Sequence, residues 1–268
     1  MPLWTLRGLR QGTATTGWPN RADDGHGQEG TLGMPRVTGQ ACGEDCRRCE
    51  QVCPTQAIKT DKAGRLAQLD YGRCIACQLC AESCPTGTIR TDAGWAFGVR
   101  ERLDLRWTPE ADSPVAERLK RRIDVSFGGS LHIRHVDAGS CNGCESELQA
   151  LNNPFYNFHR LGIFFTASPR AADVLLVTGT VTAALRESLM ITWQGMPEPR
   201  HVLACGTCAV SGGVCGGGYA GGQGVDGLLP VDIYLPGCPP NPAAIIEALL
   251  LLLERKPQRV RGGRLNAS

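Results

Sequence analysis

"LHIRHVDAGSCNGCESELQAL", residues 131–151, passes from an apolar run through a glycine- and cysteine-bearing loop into a stretch with acidic residues at its start. Leu131–Val136 is dense in apolar and β-branched residues and predicts a strand. Cys141 and Cys144 flank Asn142-Gly143 in the loop behind it. A Cys-x-x-Cys pair alone fits half a zinc knuckle, a redox dithiol or part of something larger. Which other cysteines can reach it decides between them. Further along, "DVLLVTG" (173–179), "HVLACG" (201–206) and "VDIYLPG" (231–237) are further candidate strands, and "VTAALRESLM" and "PAAIIEALLLLLER" are candidate helices. Strands alternating with helices predict an α/β domain, a flavodoxin-like open parallel sheet flanked by helices.

The chain has 268 residues, enough to bury a real core in one large domain or two smaller ones. A net charge of +2 argues against a nucleic-acid or acidic-surface role for the whole chain. Fourteen cysteines are the departure from an ordinary composition. The chain is not short, and "MPLWTLRGLRQGTATTGWPN" offers no apolar region of signal-peptide length. The longest apolar run, "IIEALLLLLE" at 245–254, is interrupted by Glu247 and reads as a buried helix, too short to span a membrane. A reducing cytoplasm is therefore expected, where clustered cysteines serve as ligands more often than as disulfides.

Five regions are expected. Residues 1–36, rich in Gly, Thr and Arg with little apolar periodicity, read as an extended arm ordered by a partner. Residues 37–95 hold an internal repeat and read as a small α+β bacterial ferredoxin-like domain. Residues 96–128 read as a charged connector with a short helix at "SPVAERLKRRI", capped by Ser113 with Pro114 in its first turn. Residues 129–256 form the parallel-sheet domain, and 257–268 a basic, frayed tail.

In the repeat, "CGEDCRRCEQVCPTQAI" from 42 is followed by "CIACQLCAESCPTGTI" from 74. The second matches the bacterial ferredoxin run, in which three close cysteines ligate one [4Fe–4S] cubane and the fourth, before proline, ligates the other. Crossing the runs gives Cys42, Cys46 and Cys49 with Cys84, and Cys74, Cys77 and Cys80 with Cys53. The first run carries one extra residue between Cys42 and Cys46. Either that loop widens, or Cys42 is lost or weakened as a ligand. In an open parallel sheet ligands gather at the carboxyl ends of the strands. Cys141, Cys144, Cys208 and Cys238 all follow predicted strands, and together they number the four thiolates of a third [4Fe–4S] cluster. Glycines 139, 143, 206, 212, 213 and 237 would let backbone N–H groups approach its sulfurs, and Pro239 stiffens the last loop. Of the remaining two cysteines, Cys205 reads as a small buried hydrophobe and Cys215 as a loop thiol.

"SCNGCESEL", "TASPRAADVLLVTGTVT", "ACGTCAVSGG" and "GLLPVDIYLPGCPPNP" resemble the small, electron-transfer subunit of energy-converting, membrane-bound [NiFe]-hydrogenases of the formate hydrogenlyase and CO-linked type. That family is homologous to the complex I subunit holding the terminal cluster. "TGWP" and the two ferredoxin runs resemble the two-cluster ferredoxin subunit of the same complexes, so the chain looks like a fusion of the two. The resemblance implies an oxidoreductase subunit that carries three [4Fe–4S] clusters. They would lie between a [NiFe] site in a partner large subunit and a donor or acceptor such as formate dehydrogenase, CO dehydrogenase or ferredoxin. It also implies membrane subunits in the same complex, a peripheral place on the cytoplasmic side of the cell membrane, and no nucleic acid. The cluster of Cys141, Cys144, Cys208 and Cys238 would be the one proximal to nickel. Complex I members carry adjacent cysteines at the first ligand position, whereas Cys141-Asn142-Gly143-Cys144 is the hydrogenase-like form. No twin-arginine export signal is present, since Arg47-Arg48 and Arg121-Arg122 are internal. Glu147 would lie near an intersubunit proton route, and Arg170 near the proximal cluster, where a positive charge favours the reduced form.

Each of these has a plainer reading. Glu145 and Glu147 suit a helix start through the dipole, and Ser168-Pro169-Arg170 suits a cap and first turn. His132, His135 and His159 are read as packed or surface groups, not ligands. The glycine-rich stretch 212–227 lacks the endings of a phosphate loop. Two rival functions stay open: a complex I-like subunit passing electrons to quinone, and a zinc-binding structural module.

Overall fold

Short apolar runs between cysteine loops leave the front half room for only small strands. In the computed structural model, which describes residues 3–12, 17–19, 26–110 and 130–266, helix α1 (Leu3–Gln11) comes first. Strand β1 (Arg36–Val37) precedes the first cysteine run, whose helical turn is α2 (Arg48–Gln51), followed by β2 (Ile58–Thr60) and β3 (Leu66–Asp70). The second run repeats the plan with α3 (Leu79–Glu82) and β4 (Ile89–Arg90). Pairing of β1 with β4 is antiparallel and brings the flanks of the two runs together. Strand β5 (Arg106–Trp107) joins β3, giving a three-stranded antiparallel sheet in the order β2-β3-β5. Asp70 at the end of β3 receives Arg102 through two hydrogen bonds of 2.7 and 2.9 Å, the bidentate geometry that suits arginine.

The rear half runs β6 (Leu131–Asp137), α4 (Gly143–Ala150), β7 (Ile163–Phe165), β8 (Val174–Thr178), α5 (Ala183–Gln194), β9 (His201–Cys205), α6 (Thr207–Ser211), β10 (Ile233–Leu235) and α7 (Pro242–Leu252). Its sheet is parallel throughout, in the order β10-β9-β8-β6-β7. After β6 the chain moves to one edge, then crosses back to build the other side. This is the flavodoxin-like order, and its switch point falls between β6 and β8, where such sheets open a crevice at the strands' carboxyl ends. Strands β8 and β9 are buried at every position, as expected of central strands covered on both faces. Helix α7 is buried at every residue but Glu247, which reaches Lys256 at 3.4 Å and Arg259 at 3.6 Å. Asn241 caps it by accepting from the Ala244 N–H at 2.8 Å. Among the described residues no helix is long and apolar enough to cross a membrane.

Several expectations change. The sheet has a fifth strand, β7, too short to show as an apolar run. The arm is not extended throughout, because residues 3–11 are helical. Its later part packs on its own chain: Trp18, Gln28 and Met34 are buried, and Trp18 meets Trp95 edge-on with 6.1 Å between ring centroids. The tail is not frayed. Its strands β11 (Val260–Arg261) and β12 (Arg264–Leu265) form a hairpin with Val260 fully buried, and the Gly263 N–H donates to the Asp104 carbonyl at 2.7 Å. The expected helix at 113–123 lies outside the described residues.

The two halves share structure. Val99 and Tyr234 exchange backbone hydrogen bonds of 3.0 and 2.8 Å, tying the described part of the connector to the edge strand β10. One apolar cluster runs from Ile58, Leu69 and Tyr71 in front to Leu175, Val202 and Tyr234 behind.

Candidate metal centres

Each cysteine run turns sharply enough to aim several thiols inward. Ala76 and Gln78 adopt positive φ in the second run, and Asp45 does so in the first. Helical turns α2 and α3 bury Cys49 and Cys80. The outcome is the crossed arrangement. Cys53, Cys74, Cys77 and Cys80 line one cavity, and Cys42, Cys46, Cys49 and Cys84 line another. The extra residue before Cys46 therefore does not remove Cys42 from its group. Its sulfur receives the Leu66 N–H at 3.5 Å, while the Cys53 sulfur receives the Ala57 N–H at 3.2 Å and the Cys74 sulfur the Ala76 N–H at 3.4 Å. Backbone donors of this kind orient the sulfurs they meet.

The third group assembles at the carboxyl edge of the parallel sheet. Cys141 lies in the loop after β6 and Cys144 in the first turn of α4; Cys208 is in α6 and Cys238 in the loop after β10. Their thiols lie within reach of one another's charge: Cys208, Cys238 and Cys141 act on Cys144, and Cys238 and Cys141 act on Cys208. Two glycines leave room for them. A Cβ on Gly206 (φ +90°) would lie 2.6 Å from the Cys144 sulfur, and one on Gly213 (φ +59°) 2.9 Å from the Cys208 sulfur. Cys141 and Cys238 remain exposed, so this group opens on the surface.

The electrostatics describe what must bind. Burial, then crowding by other thiols, pushes Cys74 and Cys80 up to about 12 and Cys208 up to about 11. Burial also raises Cys49 to about 11 and lifts Cys144 far above the ordinary thiol. At Cys84 burial acts against the thiolate, but hydrogen bonds from the Ile89 and Thr86 backbone and the Thr86 hydroxyl outweigh it and lower the pKa. Four such thiols ionise together only around a cation that neutralises them. Among the described residues no three His, Cys, Asp or Glu side chains converge as a single metal ion requires. Sulfurs that ring a cavity without meeting at a point fit a polynuclear cluster better than one zinc ion, with its Zn–S bonds of about 2.3 Å.

The other candidates separate. Glu145 turns inward: it accepts from the Ser140 hydroxyl at 2.8 Å and closely from the Thr178 hydroxyl, and His135 lies 3.6 Å away. Glu147 faces the other way, toward Tyr156, and burial raises its pKa. Arg170 is exposed on the turn Pro169–Ala171. His132 pairs with Asp173 at 3.5 Å and His159 meets the Ile163 carbonyl at 3.1 Å, so both are structural. Cys205 is fully buried, as expected. Cys215 is more than a loop thiol by position: its charge reaches Cys208 and Cys238, so five thiols stand at this edge. The doubling back of the glycine-rich segment produces this, and no sequence periodicity announces it.

Comparison with known proteins places these features. Residues 141–252 match the family model described as NADH ubiquinone oxidoreductase, 20 kDa subunit, and residues 41–88 match a 4Fe–4S dicluster domain. Formate hydrogenlyase subunit 7 of Escherichia coli is 41% identical over 149 residues, which are 56% of this chain; the chain spans only 58% of that relative's length. The Pyrococcus furiosus protein named "Probable membrane-bound hydrogenase subunit mbhJ" is 38% identical over 54% of this chain and 89% of its own length. Among solved structures, a chain of an archaeal membrane-bound sulfane sulfur reductase is 35% identical, covering 47% of this chain and 70% of that one, with a TM-score of 0.42. An α/β sheet with thiols at its carboxyl edge, preceded by a dicluster ferredoxin fold, defines a hydrogenase- and complex I-type iron–sulfur subunit. The chain belongs to the family of the NADH ubiquinone oxidoreductase 20 kDa subunit, with a 4Fe–4S dicluster domain in front of it.

Proposed function

We propose that the chain is the electron-transfer subunit of a membrane-bound [NiFe]-hydrogenase complex and holds three [4Fe–4S] clusters. The observation that carries this is the sorting of twelve cysteines into three groups of four, two around cavities and one at an exposed sheet edge. When bound, each cluster takes up or gives back one electron. The chain's residues do the rest. Cys42, Cys46, Cys49 and Cys84 would hold the first, Cys53, Cys74, Cys77 and Cys80 the second, and Cys141, Cys144, Cys208 and Cys238 the third. The charge of buried Cys49 reaches buried Cys80 across the two runs, and α2 packs on α3, which sets the first two groups side by side. The exposed flank at Cys141 and Cys238 is the face offered to a large subunit bearing the nickel site, as the names of the hydrogenase relatives support. Membrane subunits and a formate-, carbon monoxide- or ferredoxin-linked donor would complete the assembly, on the cytoplasmic side of the membrane. Glu147 is held for a proton route along α4 toward that flank.

Iron, zinc and acid-labile sulfide are measured on anaerobically purified protein, with EPR after dithionite reduction. About 12 iron and 12 sulfide with three paramagnets are expected. Zinc without sulfide refutes the reading.

A further inference from the structure

Thr207 stands between two of the thiol groups. It is 1% exposed and precedes Cys208 of the third group. Its hydroxyl donates to the backbone carbonyl of Cys74, a member of the second group, at 2.9 Å, with the Gly237 carbonyl the more distant acceptor at 3.2 Å. The hydroxyl oxygen accepts the N–H of Gly237, the residue before Cys238, at 3.1 Å, and the Thr207 N–H donates to the Gly237 carbonyl at 2.8 Å. A hydroxyl has one proton to donate and lone pairs to accept with. One buried side chain thus joins the backbone of Cys74 to that of Gly237, beside Cys208 and Cys238, and it reaches Cys74 across 133 residues of sequence.

We infer that Thr207 is a positioning residue that couples the second thiol group to the third. This rests on the three-cluster reading and adds two things to it: an order and a bridge. The order runs from the third group through Thr207 to the second, whose helical turn α3 packs against α2 of the first. The bridge is short because the hydroxyl bonds directly to a ligand's own backbone, with no intervening side chain. It is dry because Thr207 is buried, so no water can replace the hydroxyl if it is removed. Clusters held by these thiols would exchange one electron at a time, and Thr207 would keep its proton throughout, with no bond broken.

Thr207→Val keeps the shape and removes the hydroxyl, while Thr207→Ser keeps the hydroxyl. The full chain is purified anaerobically, and the third cluster's EPR signal is identified as the one missing from Cys208→Ser. The front clusters are then photoreduced, and arrival of the electron at the third is followed by freeze-quench EPR. The expected result is about 12 iron in all three of wild type, Val and Ser forms, arrival slowed several-fold in Thr207→Val, and wild-type arrival in Thr207→Ser. Wild-type arrival in Thr207→Val overturns the inference, and so does loss of the third cluster's iron in that variant, which would make Thr207 part of the cluster's own cradle. A wild-type protein without a third signal would instead refute the three-cluster reading.

Discussion

Gly206 is tightly constrained by the third group's thiols. It follows β9, takes φ +90° and caps α6, and a Cβ on it would run into the Cys144 sulfur. Gly206→Ala therefore meets two obstacles: a left-handed backbone that side chains disfavour, and a 2.6 Å clash with a proposed ligand. The expected outcome is a folded protein that has lost about 4 of about 12 iron, read by iron assay alongside far-UV circular dichroism. Cys215→Ser is the matching control. With four other thiols at this edge, it should keep all its iron, and a loss would make Cys215 a ligand. Placement after predicted strands suggested the four thiols as a group, because strand ends converge in a parallel sheet. The fifth came from a glycine-rich turn, whose path depends on backbone conformations that residue type does not specify.

At the scale of elements, β6 places a titratable group inside the fold. His135 on this strand bonds the Thr178 hydroxyl of β8 at 2.9 Å and faces Glu145 of α4, with Asp137 and Arg134 on its own strand. Burial lowers its pKa below 6.5 despite the pull of Glu145 and Asp137. The unfolded chain therefore binds this proton first as pH falls, so the neutral-histidine contribution is complete above about pH 6.5 and is lost from there down to the depressed folded value. His135→Gln should flatten that acid limb in denaturant titrations across the range, whereas an unchanged limb would assign it to other groups. Elements with strong apolar runs, such as β8 and α7, are readable from sequence because burial on every side demands such runs. Strand β7 is three residues long and follows a glycine turn, and β11 is anchored by Val260 amid basic neighbours. Helix α1 buries no residue, so its apolar side chains carry no core signal.

For the whole molecule, the question is whether two domains recognisable in sequence behave as two. The ferredoxin part has its own sheets, yet Ile58, Leu69 and Tyr71 belong to the same apolar cluster as Leu175, Val202 and Tyr234. Tyr234 is 7% exposed, exchanges backbone bonds with Val99 and donates its hydroxyl to Asp226 at 3.0 Å. Unfolding either half would expose apolar surface on the other, and a thiol group deprived of its neighbour would lose burial as well. The halves should therefore unfold together: loss of visible iron–sulfur absorbance and loss of far-UV circular dichroism should coincide on heating. Tyr234→Ala removes an aromatic side chain from this junction, a change worth roughly 3–5 kcal/mol in a packed core, and it should lower both midpoints equally. Two separate transitions, or a shift in only one signal, would show that the front half folds on its own and that the shared cluster is a contact between independent domains.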